Sequence, residues 1–163
     1  MPNTEDLGLG PLGVSLGRRG EVVVDGWSQT AVPSGYAVGD VTNRMNLTPV
    51  AIREGHAFAD TVFGAKPWQM DHGVVASAVF TQPELGSVGL TEEAARDAGP
   101  IEVYATAFRP MRQAFAGRSE RVMMKLIVAA DTRRVVGCHI VAPEAAEMIQ
   151  LAARPGREPR GLL

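Results

Sequence analysis

The sequence predicts an α/β chain of the α+β kind, built in two pieces, and three observations carry that reading. Residues 1–35 are dense in glycine and proline, which leaves room only for short meander strands. Residues 49–63 repeat apolar side chains at helical spacing, and from residue 74 onward apolar residues alternate in short runs between turn signals. The expected architecture is therefore meander strands plus one helix, followed by an antiparallel sheet with helices.

In the first piece, Gly8, Gly10, Pro11, Gly13, Gly17, Gly20, Gly26, Pro33 and Gly35 punctuate the chain. Glu21-Val22-Val23-Val24 reads as a short strand and Asp25-Gly26 as a tight turn. Tyr36-Ala37-Val38-Gly39-Asp40 reads as a short buried strand ending on Gly-Asp. A polar loop follows, and then Leu47-Thr48-Pro49-Val50-Ala51 opens a helix. Thr48 is placed as its N-cap, where a hydroxyl accepts from a first-turn N–H, and Pro49 as its first residue, where a missing N–H costs nothing. Ala51, Gly55, Phe58, Ala59 and Val62 mark the apolar face, Gly64 ends the helix, and residues 66–71 form a linker.

In the second piece, residues 74–81 and 87–90 read as strands around a turn at Pro83-Glu84-Leu85-Gly86. Thr91 caps a short helix through Ala98, with Glu92 and Glu93 at its positive end and Gly99-Pro100 as the stop. Residues 101–108 form a further strand. Residues 121–130 alternate, with Val122, Met124, Leu126 and Val128 on one face, and pair as a hairpin with 135–141 across a turn at 131–134. A last helix begins near Pro143-Glu144 and presents Ala145, Met148, Ile149 and Ala152; residues 153–163 read as a divergent, disordered tail.

Composition removes several classes of function. A formal charge of −2 gives no basic field for nucleic acid, and no apolar run reaches the ~20 residues a membrane span needs. The first residues show no positive region followed by an apolar stretch, so a cytoplasmic location is expected. A single cysteine, Cys138, excludes an internal disulfide framework and any CxxC site, and it reads as a small buried hydrophobe. His56, His72 and His139 have no metal-site spacing and no carboxylate partner at motif distance. Surface or core histidines are the expectation, with no metal site.

The block from Ser34-Gly35-Tyr36-Ala37-Val38-Gly39-Asp40-Val41 through Leu47-Thr48-Pro49-Val50-Ala51 resembles the second flavin-binding motif of the class I pyridine nucleotide-disulfide oxidoreductases. Ala78-Val79-Phe80-Thr81-Gln82-Pro83, Val88-Gly89-Leu90-Thr91 and Val136-Gly137-Cys138-His139 resemble the same family, in the same order. Phe108-Arg109-Pro110-Met111 and Val41-Thr42-Asn43-Arg44-Met45-Asn46 look most like its glutathione reductase branch, of the bacterial and plant type.

The resemblance runs from about Pro2 to Ala152 and implies a C-terminal fragment of such an enzyme. Residues 1–14 would be the end of the nicotinamide-binding domain and 15–66 the C-terminal part of the FAD-binding domain. Residues 72–152 would be an incomplete interface domain that pairs two subunits as a homodimer. The cofactor implied is FAD through a partial site, with NADPH as electron donor in the full-length enzyme and glutathione disulfide as substrate. Gly39, Asp40, Leu47, Thr48 and Pro49 are the implied flavin-site residues: Asp40 toward the ribityl chain, and the backbone of the Thr48-Pro49 helix start near the O2/N1 edge. Physical chemistry agrees, because a helix N-terminus favours the negative charge a reduced flavin carries near N1. A loop Asp that merely turns the chain is the other reading of Gly39-Asp40.

Phe108 and Met111 match residues that approach glutathione at the partner subunit's site, although a strand-end Phe and a packing Met would look the same. His56 stands where some members carry a glutathione-contacting Arg, so that contact is not carried over. Arg109, Arg112, Arg118 and Arg121 form a locally basic stretch, read as a solvated face. No catalytic residue is assigned. The redox Cys pair is missing, and Gly8-Leu9-Gly10-Pro11-Leu12-Gly13 has the letters of GxGxxG with a proline inside and no strong helix after it. Activity of the chain by itself is therefore not expected. The alternatives are a non-catalytic self-associating module and a related reductase, such as dihydrolipoamide dehydrogenase or mercuric reductase.

Overall fold

Period-two alternation beyond residue 74 resolves into one five-stranded antiparallel sheet in the computed structural model, which describes residues 1–153. The strands are β1 (Ser77–Val79), β2 (Glu84–Gly89), β3 (Ile101–Phe108), β4 (Val122–Ala129) and β5 (Val135–Ala142). Their order in the sheet is β1-β2-β5-β4-β3. The chain divides into a first unit, Met1–His72, and a second that contains this sheet from Gly73 onward. The tail expected at 153–163 lies, from residue 154, outside the described residues.

The β4–β5 hairpin follows the alternation. Met124 pairs with Ile140 and Leu126 with Cys138, while a bulge at Ile127/Val128 leaves both of those residues buried. Helix α2 (Glu92–Ala98) begins as expected, with the Thr91 hydroxyl accepting from the Ala94 N–H at 3.2 Å. Helix α4 (Ala145–Ala152) lays Ala145 and Ile149, both fully buried, on a core of Val88, Val122, Cys138, Ile140 and Ala142. Burial raises the pKa of the Cys138 thiol, as suits a residue that packs. The short helix α3 (Met111–Phe115) was not foreseen.

One turn is misplaced by the sequence reading. Glu84, Leu85 and Gly86 are strand residues: Leu85 and Gly86 face Val79 and Ala78 of β1, Glu84 pairs with Ala142 of β5, and the chain reverses over residues 80–83 instead. Strand β1 is correspondingly shorter than the expected 74–81. Gly86 explains the error. A β-carbon there would sit 2.7 Å from the Ala145 carbonyl oxygen and 2.9 Å from Ile149 Cβ, so this glycine admits helix α4 to the sheet and does not mark a turn.

In the first unit, the expected meander strands reduce to two isolated bridges, Leu16–Val22 and Gln29–Tyr36. The Asp25-Gly26 turn is present: the Asp25 carboxylate accepts from the Trp27 and Gln29 N–H groups, and Ser28 takes a positive φ. Residues 36–40 are not a strand. Tyr36 bridges to Gln29, Ala37 N–H bonds Ser28 O, and Gly39–Thr42 closes into a 3₁₀ turn. Without a neighbouring ladder among the described residues, the extended stretch has little to pair with.

Helix α1 (Thr48–Val62) matches the expected helix with two corrections. Leu47 is the N-cap, extended at φ −134°, because its carbonyl accepts from both Val50 and Ala51; Thr48 is the first helical residue and its hydroxyl caps nothing. The buried stripe is Val50, Glu54 and Ala57, rotated from the expected face, on which Ala59 and Val62 are exposed. Phe58 still contributes, packing at 4.8 Å on the ring of Tyr36 and 5.8 Å from that of Phe63. No helix among the described residues is long and apolar enough to cross a membrane.

Candidate functional site

Glycine at position 39 is the geometric origin of the site. It adopts φ +73°, and a β-carbon on it would lie 3.0 Å from Ala51 Cβ, so the 3₁₀ turn presses against the first turns of α1. Thr42 Oγ1 donates to the Gly39 carbonyl at 2.8 Å, and the Asn43 N–H bonds the Asp40 carbonyl at 3.0 Å. Gly39 and Thr42 are buried by this closure, while Asp40 stays exposed.

Among the described residues the Asp40 carboxylate has no hydrogen-bond partner, and neither do the N–H and hydroxyl of Thr48. Pro49 offers no N–H, and the Val50 and Ala51 N–H groups are taken by Leu47 O. The turn and the helix start thus present one acceptor and two donor-capable groups that nothing within the unit uses. An acidic acceptor suits hydroxyls, and a helix-start N–H suits a carbonyl or an anionic ring edge.

A buried carboxylate lies directly behind the turn. Glu54 is 2% exposed, at the centre of the α1 stripe. Its Oε2 accepts from the Gly39 N–H at 2.6 Å; its Oε1 accepts from Arg44 Nη2 at 2.9 Å and from His72 Nε2 at 2.6 Å. Since a carboxylate only accepts, Nε2 carries the hydrogen of the His72 bond. Arg44 is itself fixed, reaching Ser28 Oγ at 2.8 Å, Thr42 Oγ1 at 3.3 Å and Asp25 O at 3.3 Å. His72 therefore has the carboxylate partner that its sequence neighbours did not suggest. Pattern reasoning missed Glu54 because it counts a glutamate as polar face. The available signal was a single charge inside the Val50-x₃-Glu54-x₂-Ala57 stripe, with Arg44 ten residues before it.

Phe108, Met111 and the basic stretch belong to the second unit. Phe108 ends β3, is partly exposed, and borders a cavity of about 520 Å³ with Arg118, Met124 and Met148. Met111 starts α3 and is 87% exposed, outside that lining. Of the basic stretch, Arg121 donates to Ala107 O and Arg112 lies 3.8 Å from Glu144, both on the surface. His56 is exposed, and His139 contacts Leu90 O at 3.1 Å. No cluster of three or more His, Cys, Asp or Glu among the described residues is arranged to hold a metal ion.

A family profile described as "Pyridine nucleotide-disulphide oxidoreductase" matches residues 1–55, and one described as "Pyridine nucleotide-disulphide oxidoreductase, dimerisation domain" matches residues 75–154. The chain is 56% identical to glutathione reductase of Burkholderia cepacia over 151 residues, which is 92% of this chain and 34% of that protein. It is 51% identical to the chloroplastic/mitochondrial glutathione reductase of Pisum sativum, covering 91% of this chain and 27% of the relative. Trypanothione reductase of Trypanosoma congolense is 43% identical over 92% of this chain. Among solved structures, the HOCl-induced flavoprotein disulfide reductase RclA from Escherichia coli superposes with a TM-score of 0.84 at 29% identity, covering 94% of this chain and 36% of that one. The chain spans about a third of the length of the curated relatives it matches.

Proposed function

We propose that this chain, which belongs to the pyridine nucleotide-disulphide oxidoreductase family, carries one side of the FAD site and the subunit-pairing sheet of a glutathione-disulfide reductase. The observation that supports this most is the unused polar set at the turn–helix junction, Asp40 with Thr48. When bound, FAD supplies a ring that takes electrons from a reduced nicotinamide, here NADPH, and passes them toward a disulfide. Asp40 would accept from ribityl hydroxyls. The Thr48 N–H, at the positive end of α1, would face the ring edge where negative charge develops. Gly39 allows the close approach, Leu47 supplies the extended entry to the helix, and Pro49 removes an N–H that would otherwise need a partner.

On this reading residues 1–14 close the nicotinamide-binding domain, 15–66 belong to the FAD-binding domain and 72–152 to the interface domain. Phe108 and Met111 would approach glutathione disulfide held by a second subunit, and the setting is cytoplasmic disulfide reduction. The chain alone does not turn over. A dithiol relay needs two cysteines, whereas the sequence has one, and that one is buried with its thiol pKa raised.

The purified 163-residue chain is therefore expected to bind added FAD weakly and reversibly, with no NADPH-driven reduction of glutathione disulfide. Asp40→Ala should weaken FAD binding roughly tenfold or more, the scale of a lost hydrogen bond to a charged group. Flavin fluorescence titration reads both. Isotherms that do not distinguish wild type from Asp40→Ala, or no quenching near ~1 mM protein, where only about 4 kcal/mol of affinity is needed, would sink the site reading. Measurable turnover would sink the claim of incompleteness.

A second reading, pairing without chemistry, is favoured by one observation: Val79, Phe80, Leu85, Phe115 and Leu151 are all exposed on the sheet unit. A second copy covering such surface would bury on the order of 2,000 Å² or more, as obligate interfaces do. Sedimentation velocity should show concentration-dependent dimerisation. A clean monomer over a wide concentration range refutes the pairing.

A further inference from the structure

We propose that Glu54 is a positioning residue that locks the Gly39–Thr42 turn so that Asp40 is presented in one fixed direction. The consequence for flavin rests on the reading above; the lock itself does not. A carboxylate 2% exposed on the inner face of a helix is a costly way to fill space, and an apolar residue of similar volume would pack there without a desolvation penalty. The groups it holds offset that cost.

The carboxylate spans two tasks. Oε2 takes the N–H of Gly39, the residue whose positive φ starts the 3₁₀ turn. Oε1 takes the two cationic or donor groups, Arg44 and His72. Arg44 in turn reaches Thr42, the last residue of the turn, whose hydroxyl closes back on the Gly39 carbonyl. Both ends of the four-residue turn are thereby tied to one buried side chain. Asp40, between them, is the exposed residue whose carboxylate is left unpaired among the described residues. His72, directly after the 66–71 linker, binds the same oxygen, so the end of that segment is held by the same group. A turn fixed in this way presents Asp40 without an ordering cost at the moment of binding.

Glu54→Ala and Glu54→Gln, made in the full 163-residue chain, test this by amide hydrogen exchange. In wild type the Gly39 amide should be protected. Glu54→Ala should accelerate its exchange about tenfold or more, while the amides of Ala57 and Phe58 inside α1 change far less. Glu54→Gln keeps the size and one acceptor oxygen, so it should restore part of the protection and covers the case in which the alanine variant does not fold. An unaltered Gly39 rate in both variants overturns the proposal, and so does an equal acceleration of Gly39 and the α1 amides, which would mean a purely structural role. FAD titration separates this inference from the reading it deepens. If wild type binds, loss of Gly39 protection must weaken binding several-fold, and an unchanged affinity overturns the positioning role. If wild type does not bind FAD, the flavin reading fails, and the lock is decided by the exchange result alone.

Discussion

Replacing Ile149 with alanine is expected to cost the sheet unit about 4 kcal/mol, toward the upper part of the range for deleting a buried isoleucine to alanine. Ile149 is fully buried at the centre of α4, and the floor beneath it is Gly86, which has no side chain to move into the space. Its neighbours on the helix, Ala145 and Ala146, are already small and buried. The site therefore cannot collapse, and the lost transfer energy is joined by the cavity cost. Ile149→Val should cost only about 1 kcal/mol, since the β-carbon branch that meets Gly86 is kept. The readout is denaturant-dependent amide exchange of β2, β4 and β5. Tryptophan emission will not report it, because Trp27 and Trp68 both lie in the first unit. A loss below about 1 kcal/mol for the alanine variant would mean that α4 shifts onto the sheet despite Gly86.

The same contact shows where sequence patterns carry the fold and where they stop. The hairpin of β4 and β5 was legible because period-two alternation and a polar turn state the same thing twice. Helix α2 was legible from Thr91, whose cap is formed as expected. Gly86 was misread because glycine in a sequence says only that a side chain is absent. Whether the absence serves a turn or a close helix depends on residues sixty positions away. Tyr36–Asp40 failed for a related reason: an apolar run implies extended backbone, but a strand also needs a ladder of partners, and among the described residues it makes one isolated bridge, to Gln29, and the Ala37–Ser28 bond.

At the candidate site, the groups that would face a ligand were legible and those that hold them were not. Gly39, Asp40 and Thr48-Pro49 form a short linear pattern whose chemistry can be read locally. Glu54, Arg44 and His72 are spread over twenty-nine positions and meet only after the turn, the helix and the linker have folded. The apolar face read from the sequence leaves Glu54 out, since a charge is normally solvated. Three donors directed at its two oxygens reverse that rule. Thr48 was given a capping role, but Leu47 is the N-cap and Thr48 is already the first helical residue, so no side-chain cap forms.

Removing Arg44 is expected to destabilise the first unit by about 3 kcal/mol, the penalty for stranding a buried charge whose main partner is gone. Glu54 would keep Gly39 and His72, but no fixed positive charge, and Arg44 also leaves Ser28 Oγ and Thr42 Oγ1 with fewer partners. Arg44→Met preserves the aliphatic stem and isolates the guanidinium's contribution. Arg44→Lys should rescue only part, because one ammonium cannot reach Glu54, Ser28, Thr42 and Asp25 O together as the planar fork does. Urea unfolding followed by tryptophan emission suits this unit, since Trp68 Nε1 bonds Asp60 on α1 at 2.9 Å. The decisive measurement is the double variant Arg44→Met with Glu54→Gln. Removing both charges should cost less than the sum of the two single changes by more than about 1 kcal/mol, as for groups in one network. Strict additivity would mean that the two side chains act independently. The buried carboxylate would then be stabilised by the Gly39 amide and His72 alone.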